Sequence, residues 1–396
     1  MNYENRIIDV QQNLLKLKLD GWLLYDFRRS NNLACQFLEI PENQFLSRRF
    51  FYWIPSVGTP IKIVHSIENH ALDHLPGKKN QYHTWQGLEK CLKSILSNQT
   101  HIAMEYSPKG AIPAVSKVDG GTIDLVKSFG VEIQSSGDLL QKYTSVWDEH
   151  KLQTHLKAAQ VLCEVVDNCW LMIGKNLRNS KKITEYDVQE YILEQFEKNN
   201  CLTSDAPICA VNAHSADPHY CPNKTNASII QKGDFILIDL WCKQKIDHAV
   251  YADITRVGVA AETPTQRQQE IFEIVRKSRD AGTKLVMDRF KTGILLKGYE
   301  VDQCCRDVIG AAGYGEFFIH RTGHNIDETD HGNGAHLDNL ETHDDRQLLP
   351  GTCFSIEPGI YLPNEFGVRL EYDVYVSPDG IVQVTGGIQE SIKCLL

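Results

Sequence analysis

The sequence predicts a two-part chain: an α/β domain over residues 1–147, then an α+β domain over 148–396 with pseudo-two-fold symmetry. Three observations carry this. Short apolar runs alternate with helical stretches up to residue 145, and long helical patterns then take over. The segment from Gln231 to Asp239 (Gln-Lys-Gly-Asp-Phe-Ile-Leu-Ile-Asp) then returns as Leu349 to Glu357 (Leu-Pro-Gly-Thr-Cys-Phe-Ser-Ile-Glu).

In chain order, the first domain opens on a helix from Arg6 to Leu17. An apolar run from Gly21 to Phe27 reads as a buried strand. Its exit carries Asp26, Arg28 and Arg29, which read as a solvated strand end. Short strands follow at Phe51–Ile54, Ile61–Val64 and His101–Glu105, with turns at Gly58–Pro60 and Pro76–Gly77. Nothing in this half gathers catalytic residue types. The second domain starts with helices near Trp147–Ile173 and Glu185–Lys198, joined by a loop over Asn176–Lys182. A second helical pair, Thr263–Phe290 and Tyr299–Ala312, precedes the repeated segment. Two helices and a hairpin, twice over, imply a curved antiparallel sheet lined by helices.

Composition narrows the function classes. The chain has 396 residues, 42% of them apolar and 23% charged, which excludes wholesale disorder. With 41 basic and 51 acidic residues the formal charge is −10, so neither nucleic acid nor an anionic membrane is the expected partner. No apolar run approaches the ~20 residues that span a bilayer. The start reads as a charged amphipathic helix, not a signal peptide. The 12 cysteines are irregularly spaced, with no CxxC pair, and read as reduced thiols of a cytoplasmic protein.

The acids carry the chemistry. Asp239 follows Gly233 by six residues, and Glu357 follows Gly351 by six. A second acid lies 14 residues beyond each, Asp253 and Glu371, in what reads as the partner strand. An ionised carboxylate inside an apolar strand is costly unless it is paired or bound to metal. Acids opposed across two hairpins repel one another unless a cation sits between them, so four such acids can hold two divalent ions. Five of the 15 histidines, His320, His324, His331, His336 and His343, fall within 24 residues. Glycine directly before His324 permits an unusual backbone or a close approach. Imidazole and carboxylate without thiolate suits Mn, Fe, Co or Zn.

The segments Leu237–Leu240, Tyr251–Arg256, Arg321–His324, Phe354–Gly359 and Gly367–Glu371 resemble those of the pita-bread metallopeptidases. That family includes aminopeptidase P, prolidase, methionine aminopeptidase and the metal-free creatinase. The first domain resembles the creatinase-type N-terminal domain, which points toward an Xaa-Pro peptidase. The resemblance implies five metal ligands, Asp239, Asp253, His324, Glu357 and Glu371, with Asp253 and Glu371 bridging. It implies that Glu357 is also the proton acceptor. His219 and His331 would steady the tetrahedral intermediate, His320 would lie beside the leaving-group pocket, and Arg369 would brace the site. The implied reaction is hydrolysis of Xaa-Pro bonds by a hydroxide bridging two ions, Mn first, Co or Zn otherwise. The implied partner is a peptide with proline second, and the implied assembly is a homodimer. A metal-free creatinase-like amidohydrolase and a non-enzymatic peptide-binding module are the alternatives. Three departures from the family pattern stand out. Thirteen residues separate Asp239 from Asp253, a few more than is common, so the first hairpin loop is longer; Trp241 replaces a common glycine; and Asp327, also at a glycine position, reads as a surface turn residue.

Overall fold

A computed structural model describes residues 3–396, and the chain forms two compact units that part at Thr144/Ser145, against the 147/148 read from sequence. In the first unit, α1 (Tyr3–Lys16) buries Ile7, Val10 and Leu14 along one face at helical spacing. β1 (Gly21–Asp26) is buried throughout, as its unbroken apolar run requires. It sends Trp22 and Leu24 into one apolar cluster and Leu23 and Tyr25 into another, the two-residue period of a strand covered on both faces. After α2 (Asn32–Phe37) come β2 (Phe50–Pro55), β3 (Ile61–His65) and β4 (Lys78–Tyr82). Then follow α3 (Trp85–Leu96), β5 (His101–Met104), α4 (Gly120–Lys127), β6 (Glu132–Ser135) and α5 (Gly137–Thr144). The strands make one mixed sheet, ordered β4-β3-β2-β1-β5-β6. The exit of β1 is a closed turn. Arg28 and Arg29 are left-handed (φ 55° and 60°), and the Asp26 carboxylate accepts from the backbone N–H groups of Arg29 and Asn31, both at 2.9 Å.

In the second unit, α6 (Glu149–Arg178) starts on an Asp148 cap, and α7 (Glu185–Lys198) on a Thr184/Asp187 capping box. α6 runs past the loop expected from Asn176, because Leu177 is buried and Arg178 Nη1 donates to the Leu395 carbonyl at 2.7 Å. β7 (Cys201–Leu202), β8 (Ile208–Val211), β9 (Phe235–Gln244) and β10 (Ala252–Val259) follow. Next come α8 (Gln266–Thr292), which ends on left-handed Gly293 (φ 67°), and α9 (Gly298–Ala311). The chain closes with β11 (Asn325–Ile326), β12 (Cys353–Ile356), β13 (Gly359–Leu362), β14 (Phe366–Arg369), β15 (Tyr372–Val376), β16 (Val382–Thr385) and β17 (Lys393–Cys394).

Two helices and an antiparallel pair thus occur twice: α6–α7 before β9/β10, and α8–α9 before β12/β15. The second pair is not a plain hairpin. β13 and β14 pair with each other as an excursion between its strands. In β9 the even residues Ile236, Ile238 and Leu240 join a core with Val166, Trp170 and Ile173 of α6. The odd residues Phe235 and Leu237 pack with Ile271, Phe272 and Val275 of α8. Asp239 and Trp241 continue that odd face, where it turns from apolar to polar.

Candidate metal centre

The register of β9 and β10 corrects one expectation. Asp239 and Asp253 do not oppose each other: Asp239 faces Thr255 and Asp253 faces Trp241. All four still share one face, because side chains two apart on a strand point the same way. Glu371 also departs from its expected strand. It sits between β14 and β15, since its N–H reaches over to the Thr255 carbonyl of β10 at 3.4 Å. Glu357 lies one residue past β12, its N–H bonded to the Thr322 carbonyl at 2.8 Å. His324 is set by Gly323. A Cβ at that glycine would stand 2.0 Å from the Ser355 carbonyl oxygen, so close approach, not left-handed backbone, is the reason for glycine. The His324 N–H then bonds Ser355 Oγ at 2.9 Å.

Asp239, Asp253, His324, Glu357 and Glu371 all line one cavity of about 1160 Å³, together with His219, His320, His331, Arg369 and Trp241. His324 Nε2 lies 3.8 Å from Asp253 Oδ2 and 3.5 Å from Glu357 Oε1. Its Nδ1 donates to the Asp330 carbonyl at 3.1 Å, which leaves the Nε2 lone pair facing those acids. Thr255 Oγ1 lies 3.2 Å from Asp239 Oδ1 and 2.5 Å from Glu371 Oε2, yet it has a single proton to give. Arg369 donates through Nη2 to Asp239 Oδ2, through Nε to Thr255 Oγ1 at 2.9 Å and through Nη1 to Tyr361 Oη at 3.1 Å. Asp253 Oδ1 and Glu371 Oε1 are buried with no hydrogen-bond partner.

The electrostatics follow from this crowding. Burial, then the neighbouring Glu371, Asp330 and Asp239, pushes the Asp253 carboxyl well above its ordinary range. Burial and then Glu357 and Asp239 do the same to Glu371. Glu357 is raised to about 7, chiefly by burial, with Arg369 opposing. A set of buried acids, two of them with oxygens that no protein donor reaches, fits divalent cations: the chain offers anionic and imidazole ligands and leaves their free atoms pointing together. Asp253, His324 and Glu371 place ligand atoms within 4.8 Å of one another.

The remaining histidines and Asp327 are engaged differently. His219 is exposed on the loop after β8, and the His331 side chain is 59% exposed, its Nδ1 accepting from Arg321 Nη2 at 3.1 Å. His320 has both ring nitrogens engaged. Nδ1 donates to the Arg321 carbonyl and Nε2 accepts from Tyr361 Oη, each at 2.7 Å, so it braces Tyr361 and offers nothing to a ligand. His336 accepts from the Asn325 N–H, and His343 bonds Asn339 outside the cavity. Asp327 is not a surface turn residue. It is 5% exposed, has no positive φ, and pairs with Lys151 Nζ of α6 at 2.7 Å. Sequence reasoning missed Thr255, Tyr361, Asp330 and Asp373. The last is fully buried and accepts from the Asp253 N–H at 2.9 Å. For Thr255 and Asp330 a signal existed, since each neighbours a quoted motif residue in the chain.

The profile of Metallopeptidase family M24 matches residues 154–378. An Xaa-Pro dipeptidase of Lactobacillus delbrueckii subsp. lactis is 34% identical over 237 residues, 59% of each chain. In shape the chain is similar to the dipeptidase PepE of Mycobacterium ulcerans (TM-score 0.68, 20% identity, 100% of this chain and 98% of that one). It is also similar to an X-prolyl aminopeptidase of Caenorhabditis elegans, described as cytosolic with a di-nuclear active site (TM-score 0.61, 17% identity, 99% and 63%). The repeated helix–hairpin unit, the acids it brings together and the profile match over more than half the chain lead to one conclusion: the protein belongs to metallopeptidase family M24 and is an enzyme with the pita-bread fold.

Proposed function

We propose that the protein hydrolyses the bond before proline in peptides with a free amino terminus, with two divalent ions held by Asp239, Asp253, His324, Glu357 and Glu371. Manganese is the ion of choice, with cobalt or zinc as substitutes. The carrying observation is the pair of buried, unpartnered oxygens on Asp253 and Glu371, two residues that line one cavity with the other three ligands. The Xaa-Pro dipeptidases among its relatives support the bond specificity. The complete ligand set speaks against a metal-free amidohydrolase and against a mere binding module.

Bound there, the ions would polarise the scissile carbonyl and make water acidic enough to attack it at neutral pH. The remaining work falls to side chains. Glu357, held at Oε1 by the Ser355 hydroxyl at 3.2 Å, receives the proton and passes it to the departing proline nitrogen. His331 has Nδ1 occupied by Arg321, so Nε2–H is its donor toward the developing oxyanion, and His219 lines the same cavity. Arg369 and His320 are positioning residues, linked through Tyr361 Oη. All 12 cysteines are free, which supports a reducing, cytoplasmic setting. The homodimer rests on the family resemblance, and light scattering checks it.

The test is a panel of Xaa-Pro, Xaa-Pro-Xaa and Met-Ala peptides, offered to chelated protein with Mn, Co or Zn restored in turn. Cleavage confined to the proline peptides and dependent on added metal is expected. Full activity after exhaustive chelation, or good turnover of Met-Ala, overturns the proposal.

A further inference from the structure

We infer that Asp330 is the anchor for the substrate's α-ammonium group, a specificity residue outside the five-ligand set; this rests on the reading of the cavity as an aminopeptidase-type site. Asp330 lines the cavity, and its side chain is 19% exposed. Its Oδ1 is buried without a hydrogen-bond partner, and its Oδ2 lies 3.6 Å from His331 Nε2. A buried carboxylate oxygen that no donor reaches needs a cation beside it.

Besides the four ligand acids the cavity is lined by Asp205, Asp217, Glu341 and Asp330, and of these only Asp330 is sheltered from solvent and carries a buried oxygen without a partner. Covalent geometry places the amino nitrogen of the first residue about 2.5 Å from the scissile carbonyl carbon. An α-ammonium group must therefore sit beside the ligand acids, and Asp330 is the further acid there with an oxygen free. His324, Asp330 and His331 also place ligand atoms within 4.8 Å of one another, the arrangement of a further ion site. Two contacts favour the singly charged group. Arg321 Nη2 donates to His331 Nδ1, which sets a cation against that trio, and His324 turns Nε2 toward Asp253 and Glu357.

The experiment compares the native, manganese-loaded enzyme with Asp330→Asn on two substrates that differ only in the amino group, Ala-Pro and propionyl-proline. Calorimetry of manganese binding is the second readout. KM for Ala-Pro should rise about 10- to 100-fold, as loss of a charge-assisted hydrogen bond implies. Propionyl-proline, handled poorly by the native enzyme, should be unaffected, and manganese affinity should stay within about threefold, because no ligand is lost. A tenfold or greater fall in manganese affinity makes Asp330 a metal ligand and overturns the inference. So does an equal loss on both substrates, the mark of a structural role. Asp330→Ser serves if the first variant does not fold. Should the native enzyme cleave no Xaa-Pro peptide, the proposed function fails by itself. Asp330 is then judged by calorimetric binding of alaninamide against propionamide: a native preference for alaninamide that Asp330→Asn abolishes sustains the anchor, and no preference overturns it.

Discussion

Stripped of metal, the protein should lose stability as pH rises through neutrality. The carboxyls of Glu357 and Asp330 are raised in the folded state to about 7 and about 8, both chiefly by burial. In the unfolded chain they titrate near 4. A group whose folded pKa is raised stabilises fully below its unfolded value and loses that contribution as pH climbs through the folded one. Histidines act in the opposite sense: His324 and His336 are held well below their ordinary value and His331 at about 4, all chiefly by burial. An unfolded histidine is still half protonated at pH ~6.5, so each of these three, like the buried His155 and His320, offsets the fall by a few tenths of a kcal/mol up to pH 8. Each carboxyl still protonated costs ~1.4 kcal/mol per pH unit. From pH 6.5 to 8, Glu357 and Asp330 together give up on the order of 2–3 kcal/mol, much of which the five histidines return. The net fall in metal-free Tm, at about 2–4 °C per kcal/mol for a unit of this size, is therefore set by the acids raised further. Asp253 and Glu371, raised for the same reasons, push in the same direction. Manganese, if bound as proposed, would favour the ionised forms and should raise Tm more at pH 8 than at pH 6.5. Thermal melts in chelator and in saturating manganese, at half-unit steps, supply the measurement. A metal-free Tm that is flat or rising over this window refutes the reasoning.

Glu357→Gln should lower kcat by about 10²–10⁴-fold, and saturating manganese should not restore it; recovery of near-normal turnover would leave Glu357 as a ligand only. Thr255→Val keeps the shape but removes the hydroxyl between Asp239 and Glu371, so manganese affinity measured by calorimetry should drop about 10–100-fold; an unchanged affinity would mean the hydroxyl does not orient the ligands. Lys151→Met strips the cation from buried Asp327 and should cost about 3 kcal/mol of unfolding free energy in denaturant titrations, with partial recovery in the Lys151→Met/Asp327→Asn double variant.

The acids of the site were legible because each breaks an apolar pattern, and because the same break occurs twice at equal spacing. The helices were legible from periodicity, while the capping boxes Thr184/Asp187 and Thr265/Gln268 that start two of them emerged only in the structure. Contacts between distant segments were not. Asp327 looked like a turn residue because its partner, Lys151, lies 176 positions earlier. Glu371 looked like a strand residue because nothing local shows its N–H reaching to β10. The crowd of histidines gave the region but not the roles. Its members differ in what their second nitrogen meets: an Asp330 carbonyl for His324, a tyrosine hydroxyl for His320, a backbone N–H for His336.

The fold makes the proposed centre a joint between its two repeats. The first repeat would contribute Asp239 and Asp253, and the second His324, Glu357 and Glu371. The bonds that orient them cross from one repeat to the other: Arg369 to Asp239, Asp373 to the Asp253 N–H, Thr255 Oγ1 to Glu371, and Arg256 Nη1 to the Glu371 carbonyl at 2.5 Å. Neither repeat alone can complete or even aim the ligand set. The mutual repulsion of the acids therefore acts across the interface between repeats as well as within each, and a cation bound among them would relieve it. This is why the same carboxyls that would hold metal also govern how the metal-free protein responds to pH. Cross-repeat donors such as Thr255 should accordingly matter more for metal affinity than for the folding of either half.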